Sequence, residues 1–194
     1  MHTAAFFLYI FLSAFTPGPN NIMAMYQSTR GGLRRGMIFC LGVLCGVLAT
    51  MTLCAVFTTM LLQYLPAAAP VLKWVGVAYI LFLAVVIFRD KPAEEKEKQP
   101  SGSGGLLTGL VMQFVNVKLI LYGITALSTF VLPYSQSGLA LVGAVLVLSL
   151  VGFAGTSCWA LFGFLFRRFF TERKHLVNII MALLLVGCAV ASAL

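Results

Sequence analysis

The stretch whose reading decides the fold is Thr16-Pro17-Gly18-Pro19-Asn20-Asn21, set in the middle of an uncharged run from Thr3 to Thr29. About 20 apolar residues suffice to cross a bilayer as a helix, so the run reads as one membrane span. Within it Pro17 and Pro19 have no N–H, which deprives the carbonyls of Ser13 and Phe15 of their helical donors, and Gly18 lets the backbone turn. The helix is therefore expected to break at mid-membrane. An unpaired backbone group in hydrocarbon costs several kcal/mol, so such a break persists only against protein or a wet cavity. Thr16 suits an N-cap and Pro17 a first helical residue. A half-helix starting there would point its positive dipole end at the bilayer centre, where a carboxylate could sit. The competing reading is a proline kink that serves packing alone.

Composition agrees with a membrane chain. Of 194 residues 61% are hydrophobic and 9% charged, against about 25% charged in soluble domains. The first apolar run continues beyond a signal peptide's core without a cleavage site, so it reads as a retained span. The net charge of +8 comes from cations that flank apolar runs and form no basic domain, so orientation in the bilayer explains them better than a nucleic-acid partner. Cys40, Cys45, Cys54, Cys158 and Cys188 lie in apolar runs without a CxxC pair and read as packing residues. No cofactor and no metal site are expected.

Outward from the first break, the hydropathy gives six spans at about 4–28, 36–62, 71–88, 106–132, 139–164 and 176–193. Arg30 to Arg35 form a basic connection, Tyr64 to Pro70 a Pro/Ala turn, and residues 90–105 a charged, then Ser/Gly-rich linker. The connections after spans one, three and five hold every Lys and Arg except Lys73 and Lys118. They are expected in the cytoplasm, with both termini outside. The expected fold is thus an all-α integral membrane protein of six transmembrane helices. It divides into a first three-helix repeat (1–89), a cytoplasmic linker (90–105) and a second, inverted repeat (106–194), together one transport domain. Helices one and four occupy equivalent places, and both are expected to be interrupted at mid-membrane, near the binding site. Gly42 and Gly46, and later Ser149, Gly152, Gly155 and Ser157, read as small residues that let helices approach.

Lys118 carries the chemistry. It lies ~12 residues, hence ~18 Å, from either end of span four, too deep to snorkel. A cation there costs at least ~2.5 kcal/mol, and no span contains Asp or Glu to pair with it. It must face water, carbonyls or an anionic substrate, or give up its proton. Lys118, Tyr122, Thr125 and Thr129 recur at helical spacing as one polar stripe, and Asn20 and Gln27 share a stripe with Met23 and Ala24 that could face it. For Gln27, Thr125 and Thr129 ordinary hydrogen bonding between helices is an equal reading. The candidate substrate-binding residues are Ser13, Phe15, Thr16, Pro17, Gly18, Pro19, Asn20 and Asn21 at the first break. In the second half they are Gln113, Asn116, Lys118, Tyr122 and Thr125.

These residues resemble a known family. Thr16-Pro17-Gly18-Pro19-Asn20 and Gln113-Phe114-Val115-Asn116-Val117-Lys118 look like the paired signatures of the LysE/RhtB superfamily of exporters, and the resemblance covers the whole chain. Within it, Phe114 to Lys118 together with Leu121 to Pro133 is similar to the branch that exports cysteine and O-acetylserine. The resemblance implies a multi-pass secondary transporter of the bacterial inner membrane that exports small neutral amino acids, cysteine and O-acetylserine foremost, by alternating access. Its partners would be that substrate and the lipid bilayer, with homo-oligomerisation left open. Two positions depart from the pattern: Val117 stands where the second signature usually has proline, and Asn20 where many relatives have Asp. Other readings are weaker. A thiol-redox membrane enzyme would need cysteines on helices one and four, and a metal transporter would need converging ligands. A structural or receptor-type subunit stays open.

Overall fold

The computed structural model describes residues 3–89, 102–135 and 137–193. Every regular element among them is a helix: α1 (Thr3–Phe15), α2 (Pro19–Phe88), α3 (Gly102–Val115), α4 (Val117–Thr125), a π-helical segment (Ala126–Val131), α5 (Gly138–Leu165), α6 (Arg167–Glu172) and α7 (Lys174–Ala193). Of the linker, residues 90–101 lie outside the described residues, and its last four, from Gly102, form the first turn of α3.

The 70 residues of α2 would make a straight rod of about 105 Å, and the chain does not run straight. Gly32 has φ +76°, a left-handed conformation that glycine adopts without the penalty of a Cβ. Beyond it, a Cβ on Gly36 would collide with Ser28, residues that a straight helix keeps about 12 Å apart. The chain therefore doubles back at Gly32, inside the basic connection read from the sequence. The expected turn at Tyr64 to Pro70 lies inside the helical assignment of α2, which runs unbroken through the reversal at Gly32 as well.

Small residues set the helix spacing. A Cβ on Gly42 would strike the backbone of Leu106, one on Gly46 the carbonyl of Leu110, and one on Gly109 the backbone of Phe39. The first turns of α3 therefore lie directly on α2, as the Gly42/Gly46 spacing predicts. Gly155 and Gly163 do the same for α5, against Ala14 and Met25. Between these contacts the core fills with fully buried Ile10, Ile22, Phe39, Met51, Met112, Leu127, Leu148 and Leu185.

The outer surface is apolar too, with Leu8, Leu12, Leu139, Val142 and Leu150 each more than half exposed, as lipid-facing positions are. Among the described residues, Pro19–Val56 and Gly138–Leu165 are long and apolar enough to cross a membrane. Gly105–Val115 with Val117–Val131 makes a third such span if the bent pair counts as one, and Thr3–Phe15 and Asn178–Cys188 are shorter apolar helices.

Candidate functional site

The site lies where the two helix breaks meet. At the first, the Thr16 amide still donates to Leu12 O at 3.1 Å, and the next helical bond runs from Ile22 N to Gly18 O at 3.0 Å. Thr16 therefore ends α1, Gly18 takes the cap position of α2, and Pro19 is its first residue. The sequence reading put the cap at Thr16 and the first residue at Pro17, two positions early. Pro19 pushes the residue before it out of the helical region, so the new helix cannot start ahead of Pro19.

The carbonyls freed by the break are all taken. Thr16 Oγ1 donates to Ser13 O at 3.1 Å, and Trp159 Nε1 donates to Phe15 O at 3.1 Å. Asn21 Nδ2 donates to Ala14 O and Thr16 O at 2.8 and 2.9 Å. Lys118 Nζ donates to Thr16 O, Thr16 Oγ1 and Pro17 O at 3.1, 3.0 and 3.3 Å. The expectation that Ser13 and Phe15 present open carbonyls is thus corrected: neighbouring side chains satisfy them. Lys118 sits at the C-terminal end of α1, where the helix dipole favours a cation.

The second break needs no proline. α3 and the helical run after it meet at 61°, and Asn116 between them has φ −82° and ψ 93°. Its Oδ1 accepts from Leu119 N at 3.3 Å while its carbonyl accepts from Ile120 N at 3.1 Å. Asn116 is therefore an N-cap for α4, doing with a side chain what proline does by lacking an N–H.

Amides tie the two breaks together. Asn20 Nδ2 donates to Gln113 Oε1 at 2.8 Å, and Gln113 Nε2 donates back to Asn20 Oδ1 at 3.1 Å. Asn116 Nδ2 reaches the same Asn20 Oδ1 at 3.1 Å, and Gln113, fully buried, also donates to Gly109 O at 2.7 Å. On the other side Thr156 Oγ1 donates to Asn21 Oδ1 at 3.2 Å, joining α5 to the first break.

Around this junction lies a small cavity that opens to the outside. Eight of the residues expected from the sequence line it: Ser13, Gly18, Pro19, Asn20, Asn21, Asn116, Lys118 and Tyr122. Five others do not. Thr16 and Pro17 hold Lys118, Gln113 braces Asn20, and Phe15 is exposed. Thr125 ends α4 away from the cavity. The expected stripe through Thr125 and Thr129 is interrupted because the chain turns π-helical at Ala126. There Leu132 N bonds Leu127 O at 2.9 Å, and the wider turn rotates the helix out of phase. Nor does the Gln27 stripe form a facing wall: Gln27, Met23 and Ala24 are buried outside the cavity.

Sequence reasoning missed Ala14, Val43, Val47, Leu119, Gly152 and Thr156, which complete the lining. The spacing of Gly152 and Thr156 on one face of a small-residue helix was the available signal. Tyr122 closes one side: its OH donates to Leu148 O at 3.3 Å, and its ring stacks on Tyr9 with centroids 6.0 Å apart. Tyr9 and Phe6 both pack on Phe130, each at 5.8 Å.

The arrangement offers one cation beside a helix N-terminus, together with amide and hydroxyl groups that can each donate or accept. Nζ of Lys118 lies 3.0 Å from where a Cβ on Gly18 would be. Among the described residues no three His, Cys, Asp or Glu side chains converge. Such a site can bind a small molecule that carries an anionic group.

Comparison with known proteins agrees on the kind of chain this is. The chain is 46% identical over 190 residues to the cysteine/O-acetylserine efflux protein of Salmonella typhi, covering 98% of this chain and 96% of that one. It is 45% identical over 188 residues to the protein of that name in Klebsiella pneumoniae, covering 96% and 94%. Against that of Escherichia coli K12 it is 44% identical over 187 residues, covering 96% and 95%. No solved structure matches. Residues 11–194 match the family described as LysE type translocator, and with relatives this similar over nearly the whole length the chain belongs to that family.

Proposed function

We propose that the protein is a secondary transporter of the bacterial inner membrane that exports small neutral amino acids, cysteine and O-acetylserine among them. The observation that carries this reading is the cavity at the meeting of two broken helices, with Lys118 on its wall and relatives of matching length named for that efflux. The cargo's carboxylate takes Lys118 and the N-terminal end of α2, and its ammonium takes side-chain oxygens of Ser13, Asn20 or Asn21. Among the described residues no acidic side chain lines the cavity, so a lysine or arginine cargo would leave a second cation unpaired beside Lys118.

The wider architecture belongs to the same proposal: six spans as an inverted 3+3 repeat, with 1–89 and 106–194 as the halves and both termini periplasmic. The broken helices at Gly18 and Asn116 occupy equivalent places in those halves, which supports it. Alternating access would then rock one half on the other about the amide-linked junction. The test is uptake of labelled O-acetylserine and cysteine into inverted vesicles, with and without a proton gradient. Uptake above vesicles lacking the protein is expected; uptake equal to theirs would refute the reading.

A further inference from the structure

On α5 the buried residues Leu148, Ser149, Gly155, Thr156, Ala160 and Gly163 mark the face turned toward the rest of the protein, and Gly152 falls at the centre of that face by helical spacing. The glycines of this face differ in what surrounds them. A Cβ on Gly155 would lie 2.7 Å from Ala14 O, and one on Gly163 would lie 2.9 Å from Met25 Cα, so both are small because another helix presses on them. A Cβ on Gly152 would meet nothing within 4 Å, although Gly152 lines the cavity. Packing therefore does not require glycine there, and glycine in mid-helix is less stable than alanine. What the missing side chain leaves is cavity space.

We infer that Gly152 sets the upper size limit of the cargo, an inference that rests on the export reading above. The wall that carries it is held in place. Thr156 Oγ1, one turn on, shares its one proton between Gly152 O at 3.0 Å and Asn21 Oδ1 at 3.2 Å, so α5 is tied to the first break. Lys118 and Gly18 line the same cavity and take the carboxylate end. A cargo so anchored points its side chain across the cavity, and the absent Cβ of Gly152 is room for a group such as the acetyl ester by which O-acetylserine exceeds cysteine.

The test is competitive uptake of labelled O-acetylserine and cysteine by the wild-type protein, Gly152→Ala and Gly152→Val in the same proteoliposomes, with melting temperature in detergent as second readout. The inference predicts that the O-acetylserine to cysteine ratio falls on the order of tenfold in Gly152→Ala and further in Gly152→Val, with Gly152→Ala melting no lower than wild type. Gly163→Ala, which crowds Met25 outside the cavity instead, should melt lower without moving the ratio. An unchanged ratio in both Gly152 variants would overturn the size limit and leave export standing, as would a lower melting point with both cargoes lost in proportion. Failure of the wild-type protein to move either cargo would overturn the export reading itself, and the size limit with it.

Discussion

Lys118 and Thr16, 102 positions apart in the chain, are joined by two hydrogen bonds, from Nζ to the carbonyl at 3.1 Å and to the hydroxyl at 3.0 Å. Among the described residues Lys118 is the one cation lining the cavity, and it is thus held on the end of α1, across the junction of the two broken helices. A cargo carboxylate must compete with these neutral acceptors, and as an anion it adds the attraction between two full charges that they lack. Thr16→Val removes one of three acceptors and the hydroxyl that caps Ser13. It should weaken the hold on Lys118 without removing the charge, and change the apparent cargo affinity by about tenfold or less, since one bond is worth ~1–1.5 kcal/mol. Transport kinetics over a range of cargo concentrations measure it, and complete loss of transport at normal protein level would contradict it.

Asn20→Asp tests the charge selectivity. The substitution supplies the carboxylate that the cavity lacks, so lysine transport should appear where the unmodified protein prefers neutral cargo by about a hundredfold, the equivalent of ~2.8 kcal/mol. It also places an oxygen against Gln113 Oε1, now 2.8 Å from Asn20 Nδ2. Gln113 cannot turn over without giving up its bond to Gly109 O. A loss of about 1–3 kcal/mol of stability is therefore expected alongside, read as a lower melting temperature. Comparable lysine and cysteine transport by the unmodified protein would contradict the selectivity.

Asn116→Ala tests the second break. Val117 follows it and has its own N–H, so the cap on Leu119 N is what defines the start of α4. Removing a cap of this kind costs about 0.5–2 kcal/mol, and here it also removes a bond to Asn20. Melting temperature and transport should both fall, and Asn116→Asp, which keeps the capping oxygen, should recover stability better than transport. Equal melting of Asn116→Ala and wild type would contradict the capping role.

Topology follows from the asymmetry of Arg and Lys. In a cysteine-free background, single cysteines at Ser101 and Thr171 should resist membrane-impermeant thiol reagents in intact cells, while one at Ser135 should react. Labelling at Ser101 and not at Ser135 would invert the orientation.

Much of the site was legible because its cause is covalent. Pro17 and Pro19 lack an N–H in any fold, so the first break could be read directly, and an intramembrane Lys118 with no acid in reach had few partners to choose from. Its exact start was misread because the capping preference of Thr16 competes with the constraint that Pro19 places on Gly18, and the second wins. The second break was harder, since Asn116 caps α4 only if its side chain folds back on Leu119 N, a choice that composition does not reveal. The stripe from Lys118 ends at Thr125 because the π-helical segment that follows changes the period before Thr129. Gly155 and Gly152 look alike in sequence and differ only in whether a neighbouring backbone or a cavity faces them.

The most direct test of the account is export by Lys118→Met. The substitution keeps much of the side-chain stem, removes a charge whose burial is costly, and leaves Thr16 O its bond from Asn21, so the protein should accumulate and melt at or above the wild-type temperature. Uptake of labelled O-acetylserine by proteoliposomes holding equal amounts of each protein should fall to background in Lys118→Met. Wild-type uptake by that variant would contradict the assignment of Lys118 to the cargo's carboxylate and of this cavity to the cargo.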